Sequence, residues 1–319
     1  EDLPVFDFKV NYQDGNGSVT DFGKGSVYVR IPYILAESEK PGYLYAVYVD
    51  DKGKVTRVPG SAYDANTQSI IFTTNHFSVY GISYTDPTVQ MKDISSHWAK
   101  DSIDYVIGRG LLTGTSKKAF SPNAAMTRGI LVTALGRLAG VDTDSYKANT
   151  FSDVKTDSAF RPYIEWAYGN GIIQVTGNSK FEPDRAVTRE ETALIFANYA
   201  KATGYILPVI RETEAYADAS EIGSAYKNAL TATQHAGIMM GVTGNKFNPK
   251  ANATRAEVST MLHRYIKLTI DSSTTQGWAL NDAGQYLHYK DGKKLTGTQT
   301  IEGVKYFFET TGALKTGWV

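Results

Sequence analysis

The chain has 319 residues, more than one hydrophobic core usually spans (about 250), so several modules are expected. Thirty-three Lys and Arg balance thirty-three Asp and Glu, which removes the broad positive field that draws proteins to nucleic acid or anionic membrane. Cysteine is absent, excluding disulfides and thiolate metal sites, and no stretch reaches the roughly 18 apolar residues of a membrane span.

From Val5 to Tyr84 the residues read as strands. Ser26 to Ile31, Tyr43 to Val49, Ser69 to Thr73 and Phe77 to Tyr84 are rich in β-branched and aromatic side chains. Turn chemistry separates them at Asp14-Gly15-Asn16-Gly17, Asp51-Lys52-Gly53 and Asp64-Ala65-Asn66, the pattern of a small antiparallel β-sandwich over residues 1–86. Thr85-Asp86-Pro87-Thr88 closes it, and the period of the apolar residues then becomes helical.

Three copies of one unit follow, with expected bounds 91–145, 149–206 and 214–270. Gly110, Gly171 and Gly237 set the register: Phe120, Phe181 and Phe247 stand 10 residues after them, Pro122, Pro183 and Pro249 two further, and Arg128, Arg189 and Arg255 18 after the glycine. Thr127, Thr188 and Thr254 read as N-caps, and Glu191 and Glu257 complete capping boxes that Gly129-Ile130 in the first unit lacks. The second helices carry matching stripes, Ala134, Leu135 and Leu138 against Ile195, Phe196 and Tyr199 and against Met261, Leu262 and Tyr265. Three such stripes are expected to bury one another.

Each arginine opens a helix, where a cation opposes the macrodipole at about 0.3–1 kcal/mol. Three such arginines point to an anion held by guanidinium and helix N-terminus together; covering a neighbouring helix, or pairing with Asp93, Asp153 or Asp218, is the structural alternative. Val175 replaces the glycine found at Gly114 and Gly241, so the grooves should differ. The third unit keeps every element, which ranks Arg255 first for binding, then Arg189, then Arg128.

Together Asp93-Ile94, His97-Trp98, Gly110-Leu111-Leu112-Thr113-Gly114, Phe120-Ser121-Pro122 and Thr127-Arg128 resemble S-layer homology domains over residues 91 to 269. The resemblance implies a pseudo-threefold, three-repeat assembly on a secreted surface protein. It further implies that grooves between repeats bind an anionic, pyruvylated secondary cell-wall polysaccharide. We expect Arg128, Arg189, Arg255, Asp93, Asp153, Asp218, Trp98, Gly114, Gly241, Glu191 and Glu257 to line them.

After Ser272 to Thr275 a shorter repeat, marked by Gly277, Gly297 and Gly317, spans 276–319 and is similar to the choline-binding and cell-wall-binding repeats of Gram-positive surface proteins. That similarity makes Trp278, Tyr286, Tyr289, Tyr306 and Trp318 candidate contacts for choline or glycan, with Thr298 standing where a tryptophan would complete a cage. The N-terminal segment resembles the small β-modules that precede such repeats and is expected to be a spacer. The expected fold class is thus multidomain: an N-terminal β-sandwich, a central all-α pseudo-trimer and C-terminal β-hairpins. The long repeats are expected to form a closed unit independent of residues 272 to 319.

His76, His97, His235, His263 and His288 show no metal-ligand spacing, and no nucleophile motif occurs, so neither enzyme activity nor a metal or cofactor is expected in this segment. The chain begins at Glu1 and ends at Val319 inside a repeat, as a piece of a larger protein would. The expected function is non-covalent wall anchoring; a lattice-assembly module, or the tether of a hydrolase or adhesin, is the alternative.

Overall fold

The computed structural model describes residues 4–11, 13, 16–19, 22–23, 25–175, 179–213 and 215–316; Asp14, Gly15, Gly317 and Trp318 of the expectations above lie outside them. Among its described residues the first module contains nine strands: β1 Val5–Asp7, β2 Val10–Asn11, β3 Ser18–Val19, β4 Val27–Pro32, β5 Leu44–Val49, β6 Val55–Arg57, β7 Ala62–Asp64, β8 Ser69–Thr74 and β9 Val79–Tyr84. They form a four-stranded sheet ordered β1-β9-β5-β6, a three-stranded sheet β4-β8-β7 and the pair β2-β3. Alternate residues of both larger sheets, including Val29, Ile31, Leu44, Ala46, Ile70, Phe72, Tyr80 and Ile82, share one apolar cluster.

Six α-helices follow among the described residues: α1 Lys100–Gly108, α2 Arg128–Leu138, α3 Arg161–Gly169, α4 Arg189–Ala202, α5 Lys227–His235 and α6 Arg255–Ile270. They pack in a cyclic exchange, each second helix lying against the first helix of the following unit: α2 on α3, α4 on α5, α6 on α1. The stripes therefore bury mainly across units, although Tyr199 and Tyr265 also meet between α4 and α6, ring centroids 5.4 Å apart. Buried residues of all three units form one continuous core.

The expected all-α centre is corrected by what joins these helices. The segments before α2, α4 and α6 are extended and pair by isolated β-bridges, Ala125 with Thr254, Thr127 with Ala186 and Thr188 with Asn252. Their main chains close a three-membered ring: Met126 N–H donates to Ala253 O, Ala253 N–H to Val187 O, and Val187 N–H to Met126 O, at 2.8, 2.9 and 2.9 Å. The fold is mixed, with helices at its centre interleaved with extended backbone and small sheets toward both ends. Helical periodicity reported only the segments that carried it.

The last module consists of β10 Gly277–Leu280, β11 Tyr286–Lys290, β12 Lys293–Lys294, β13 Gly297–Ile301 and β14 Val304–Phe308, all paired antiparallel, as the sheet β10-β11-β12 and the hairpin β13-β14.

Both flanking modules are docked on the repeats. Arg109, 1% exposed, donates to the carbonyls of Ser61, Leu44, Gly42 and Tyr105, and its guanidinium lies 3.4 Å from the Tyr105 ring centroid. Buried Asp104 accepts from Tyr43 Oη at 2.9 Å, from Thr88 Oγ1 and from Lys100 Nζ at 2.6 Å. A guanidinium making four hydrogen bonds and a carboxylate accepting three make this junction specific in orientation as well as apolar.

Candidate functional site

The three arginines are buried, and each reaches out of its own unit. Arg128 Nε donates to Phe181 O at 2.9 Å, Arg189 Nε to Phe247 O at 2.6 Å, and Arg255 Nε to Phe120 O at 2.9 Å. Each guanidinium also lies over that phenylalanine's ring, at 4.7, 4.9 and 4.4 Å from the centroids. A charged hydrogen bond contributes about 1.5–3 kcal/mol and a cation–π contact about 0.5–2, so together they exceed the macrodipole penalty. The threefold recurrence of arginine thus has a structural cause that needs no ligand.

The helix N-termini are not open to an anion either. The N–H groups of Arg128 and Gly129 donate to Arg185 O and Pro183 O, those of Arg189 and Glu190 to Ala251 O and Pro249 O, and those of Arg255 and Ala256 to Ala124 O and Pro122 O. The expected two-part site of guanidinium and helix N-terminus is therefore corrected: the next unit's loop supplies the acceptors that the orphan donors require.

Nor do the aspartates pair with these arginines. Asp93 accepts from the N–H groups of Phe120 and Ser121, Asp153 from Phe181 and Glu182, and Asp218 from Phe247 and Asn248, at 2.7 to 3.1 Å. Each carboxylate so fixes a loop whose second residue, Ser121, Glu182 or Asn248, has φ of 58°, 60° or 53°. Gly114 and Gly241 sit where the chain crosses itself: a Cβ at Gly114 would stand 2.5 Å from Ser116 O, and one at Gly241 2.6 Å from Tyr216 Cε1. Their own chain, rather than a sugar, occupies the space beside them.

The glutamates close the two capping boxes, Thr188 with Glu191 and Thr254 with Glu257. They also face the preceding unit's arginine. Arg189 Nη1 donates to Glu257 Oε1 at 2.8 Å, and Arg128 Nη1 stands 3.7 Å from Glu191 Oε1, a carboxylate that Arg185 Nη2 also grips at 2.6 Å. The equivalent position in the first unit is Ile130, so the first unit has no glutamate to offer Arg255 as Glu191 and Glu257 are offered to Arg128 and Arg189. Beyond its bond to Phe120 O, Arg255 uses Nη2 to donate to Thr113 O at 2.6 Å, and no carboxylate lies within 4 Å of it among the described residues. Burial therefore lowers its pKa, with Asp93 only partly offsetting, whereas at Arg189 Asp282 and Glu257 outweigh burial and raise it.

Asp282 is the contact that the residue pattern did not announce. It belongs to the turn between β10 and β11, is fully buried and pairs with Arg189 Nη2 at 2.8 Å. Trp98 lies against Gly284 of the same turn, where φ is +78° and a Cβ would stand 2.5 Å from the indole. Of the aromatic candidates, Trp278, Tyr286 and Tyr306 come together, Trp278 being 6.4 Å from Tyr286 and 4.9 Å from Tyr306. Tyr289 faces elsewhere, its ring 3.8 Å from the Arg211 guanidinium.

Units that exchange helices and arginines around a shared ring make up a cyclic three-repeat module. The S-layer homology domain is matched at residues 90–129, 150–193 and 215–259, so the chain carries three S-layer homology domains. It is similar to an amylopullulanase of Thermoanaerobacterium thermosulfurigenes, 30% identical over 236 residues that cover 74% of this chain and 12% of that protein. Exoglucanase XynX of Acetivibrio thermocellus is 31% identical over 55% of this chain and 16% of its own length. An S-layer protein of Bacillus thuringiensis subsp. finitimus is 28% identical over 52% of this chain and 20% of its own. The chain therefore spans a fifth or less of these relatives. S-layer homology domains are non-catalytic modules that bind cell-wall polysaccharide and anchor surface proteins, and this is a secreted protein of the cell surface. No helix among the described residues is long and apolar enough to cross a membrane.

Proposed function

We propose that residues 91–270 hold the protein to the cell wall by binding an anionic secondary polysaccharide, a pyruvylated sugar being the expected recognition group, in the groove between the third and first repeats. The observation that carries this reading is Arg255: a guanidinium fixed by two carbonyls and without a carboxylate within 4 Å among the described residues, the first repeat having Ile130 at the position of Glu191 and Glu257. A sugar carboxylate supplies the missing counter-charge in a partly desolvated site. The Arg128 groove is a weaker candidate, since Glu191 stands where the ligand's charge would go. Residues 1–86 act as a docked spacer and 276–319 as a wall-binding type of hairpin module.

The test is co-sedimentation of the full chain with sacculi that retain or lack their secondary polymer. Binding is expected with the polymer, a loss of at least tenfold on its extraction, and the same loss for Arg255→Ala on intact sacculi. Equal binding to extracted sacculi would transfer the function to the Trp278, Tyr286 and Tyr306 cluster, where Trp278 and Tyr286 are 41% and 51% exposed and available for stacking on choline or glycan. The two relatives with hydrolase names support a second reading of the whole protein, in which this segment tethers a glycan-active enzyme; the relative named as an S-layer protein supports lattice assembly.

A further inference from the structure

The turn between β10 and β11 is shaped to present one carboxylate. Asn281 Oδ1 accepts from the N–H groups of Ala283 and Gln285, holding a tight Asx turn with Asp282 at its tip. Asp282 Oδ2 accepts from Arg189 Nη2 at 2.8 Å and from the Met240 N–H at 3.0 Å, while Oδ1 accepts from Arg264 Nη1 at 2.6 Å. The Asp282 N–H donates to Gly241 O at 3.1 Å. All these partners belong to the second and third repeats. Two guanidinium groups and a backbone N–H converging on one carboxylate form the donor set of an anion receptor.

Comparison with Arg255 sharpens the point. Both arginines give Nε to a phenylalanine carbonyl and Nη2 to the carbonyl three residues beyond the loop glycine, Met240 O or Thr113 O. The frames match, but at Arg189 the adjoining space is filled by the tip of the hairpin module, with Trp98 of the first repeat closing over Gly284.

We infer that the Arg189 groove is a carboxylate receptor whose occupant is the chain's own Asp282, so that the hairpin module excludes acidic glycan there and confines it to the Arg255 groove. The receptor stands on the geometry at Asp282; the confinement rests on the reading of Arg255 proposed above.

Two measurements on the full chain test them separately. Asp282→Ala is expected to lower the melting temperature, and acetate is expected to restore most of that loss by entering the vacated receptor, while chloride at equal ionic strength does not. The gain of acetate over chloride should be larger for Asp282→Ala than for wild type or the Arg189→Ala/Asp282→Ala double variant, in which only the Arg255 groove is open to acetate. An Asp282→Ala protein that responds equally to acetate and chloride overturns the receptor. Titration with acidic oligosaccharide cut from the wall polymer should then saturate at one equivalent for wild type, two for Asp282→Ala/Glu257→Gln, which also removes the carboxylate paired with Arg189 Nη1, and one again when Arg255→Ala is added to that pair. If Asp282→Ala/Glu257→Gln stays at one equivalent while Arg255→Ala alone abolishes binding, the exclusion at the Arg189 groove is overturned and the Arg255 reading stands. If Arg255→Ala binds normally, that reading fails, and the acetate arm still decides the receptor. Should Asp282→Ala not fold, Asp282→Ser keeps a short acceptor beside Met240 N–H while vacating the place of the carboxylate, and its acetate response and stoichiometry are read in the same way.

Discussion

The Arg189 and Arg255 seams share one backbone and differ in counter-charge. At Arg189, Glu257 and Asp282 neutralise a side chain that is 2% exposed; at Arg255 no carboxylate lies within 4 Å among the described residues, the first unit having Ile130 at the position of Glu257. The ring of main-chain hydrogen bonds sets where every arginine points, and the glutamate of the next unit sets whether it is spent on the fold. Pseudo-symmetric repeats can in this way keep one scaffold and assign its seams to different work by exchanging a single residue.

The largest expected effect is on stability at the neutralised seam. Arg189→Ala leaves Glu257 without an ion-pair partner and Asp282 with Arg264 as its one remaining guanidinium, and breaking a buried pair costs about 3–5 kcal/mol. Arg255→Ala strands no carboxylate and removes hydrogen bonds to carbonyls, a loss of about 1.5–3 kcal/mol. Urea unfolding of the two variants checks the order, and equal losses would erase the distinction between the seams.

Converting one seam into the other is the next test. Ile130→Glu places a carboxylate where Glu257 stands relative to Arg189, and it supplies the missing partner of the Thr127 cap, whose side chain now accepts only from Ile130 N. The gain of a capping box and ion pair is set against loss of the partly buried Ile130 side chain, so stability should change by less than about 1 kcal/mol. Affinity for acidic wall oligosaccharide, measured by calorimetry, should nonetheless fall at least tenfold, about 1.4 kcal/mol, because the site is filled from within. Unchanged affinity would show that Arg255 does not face the ligand.

How much of this the residues announced divides by range. The spacing of Gly110, Phe120 and Arg128 and their counterparts disclosed the units, their caps and their helices, because each signal repeats within a few turns. Which unit an arginine reaches was not legible: Arg128 and Phe181 are 53 residues apart, Arg255 and Phe120 135, and no local pattern encodes a cyclic handover. The absent glutamate in the first unit counts in sequence against Arg128, its neighbour, although the two glutamates that are present face the preceding unit's arginine and not their own. Ranking Arg255 first remains our proposal on this new ground. The hairpin module looked separable because its aromatics and turns repeat without reference to the helices. Asp282, one acidic residue in an ordinary turn, gave no signal of its burial against Arg189, and the independence expected of residues 272 to 319 is corrected by it.

The smallest effect distinguishes the seams by pH. His263 lies on α6 at the seam with α1, its ring stacked on Tyr105 at a centroid distance of 3.9 Å and its Nδ1 3.1 Å from Ser102 Oγ. Desolvation first, then the charges of Lys267, Arg109 and Arg264, hold its pKa well below 6.5. The unfolded chain therefore binds a proton between the two pKa values that the folded chain refuses, so this contribution is complete above about pH 6.5 and is lost as pH falls toward the folded value. The Arg189 seam has the opposite trend. Burial raises the Glu257 pKa above 4.5 despite Arg189, so protonation there favours the folded state as pH falls through that range. Stability measured by urea from pH 7.5 to 5 should decline with a slope no steeper than about 1.4 kcal/mol per pH unit, the limit for one proton. His263→Gln, neutral throughout, should flatten it, while Glu257→Gln should leave it unchanged above pH 6. A slope that survives His263→Gln would mean that the proton enters elsewhere and that the seam between α6 and α1 is not the acid-labile one.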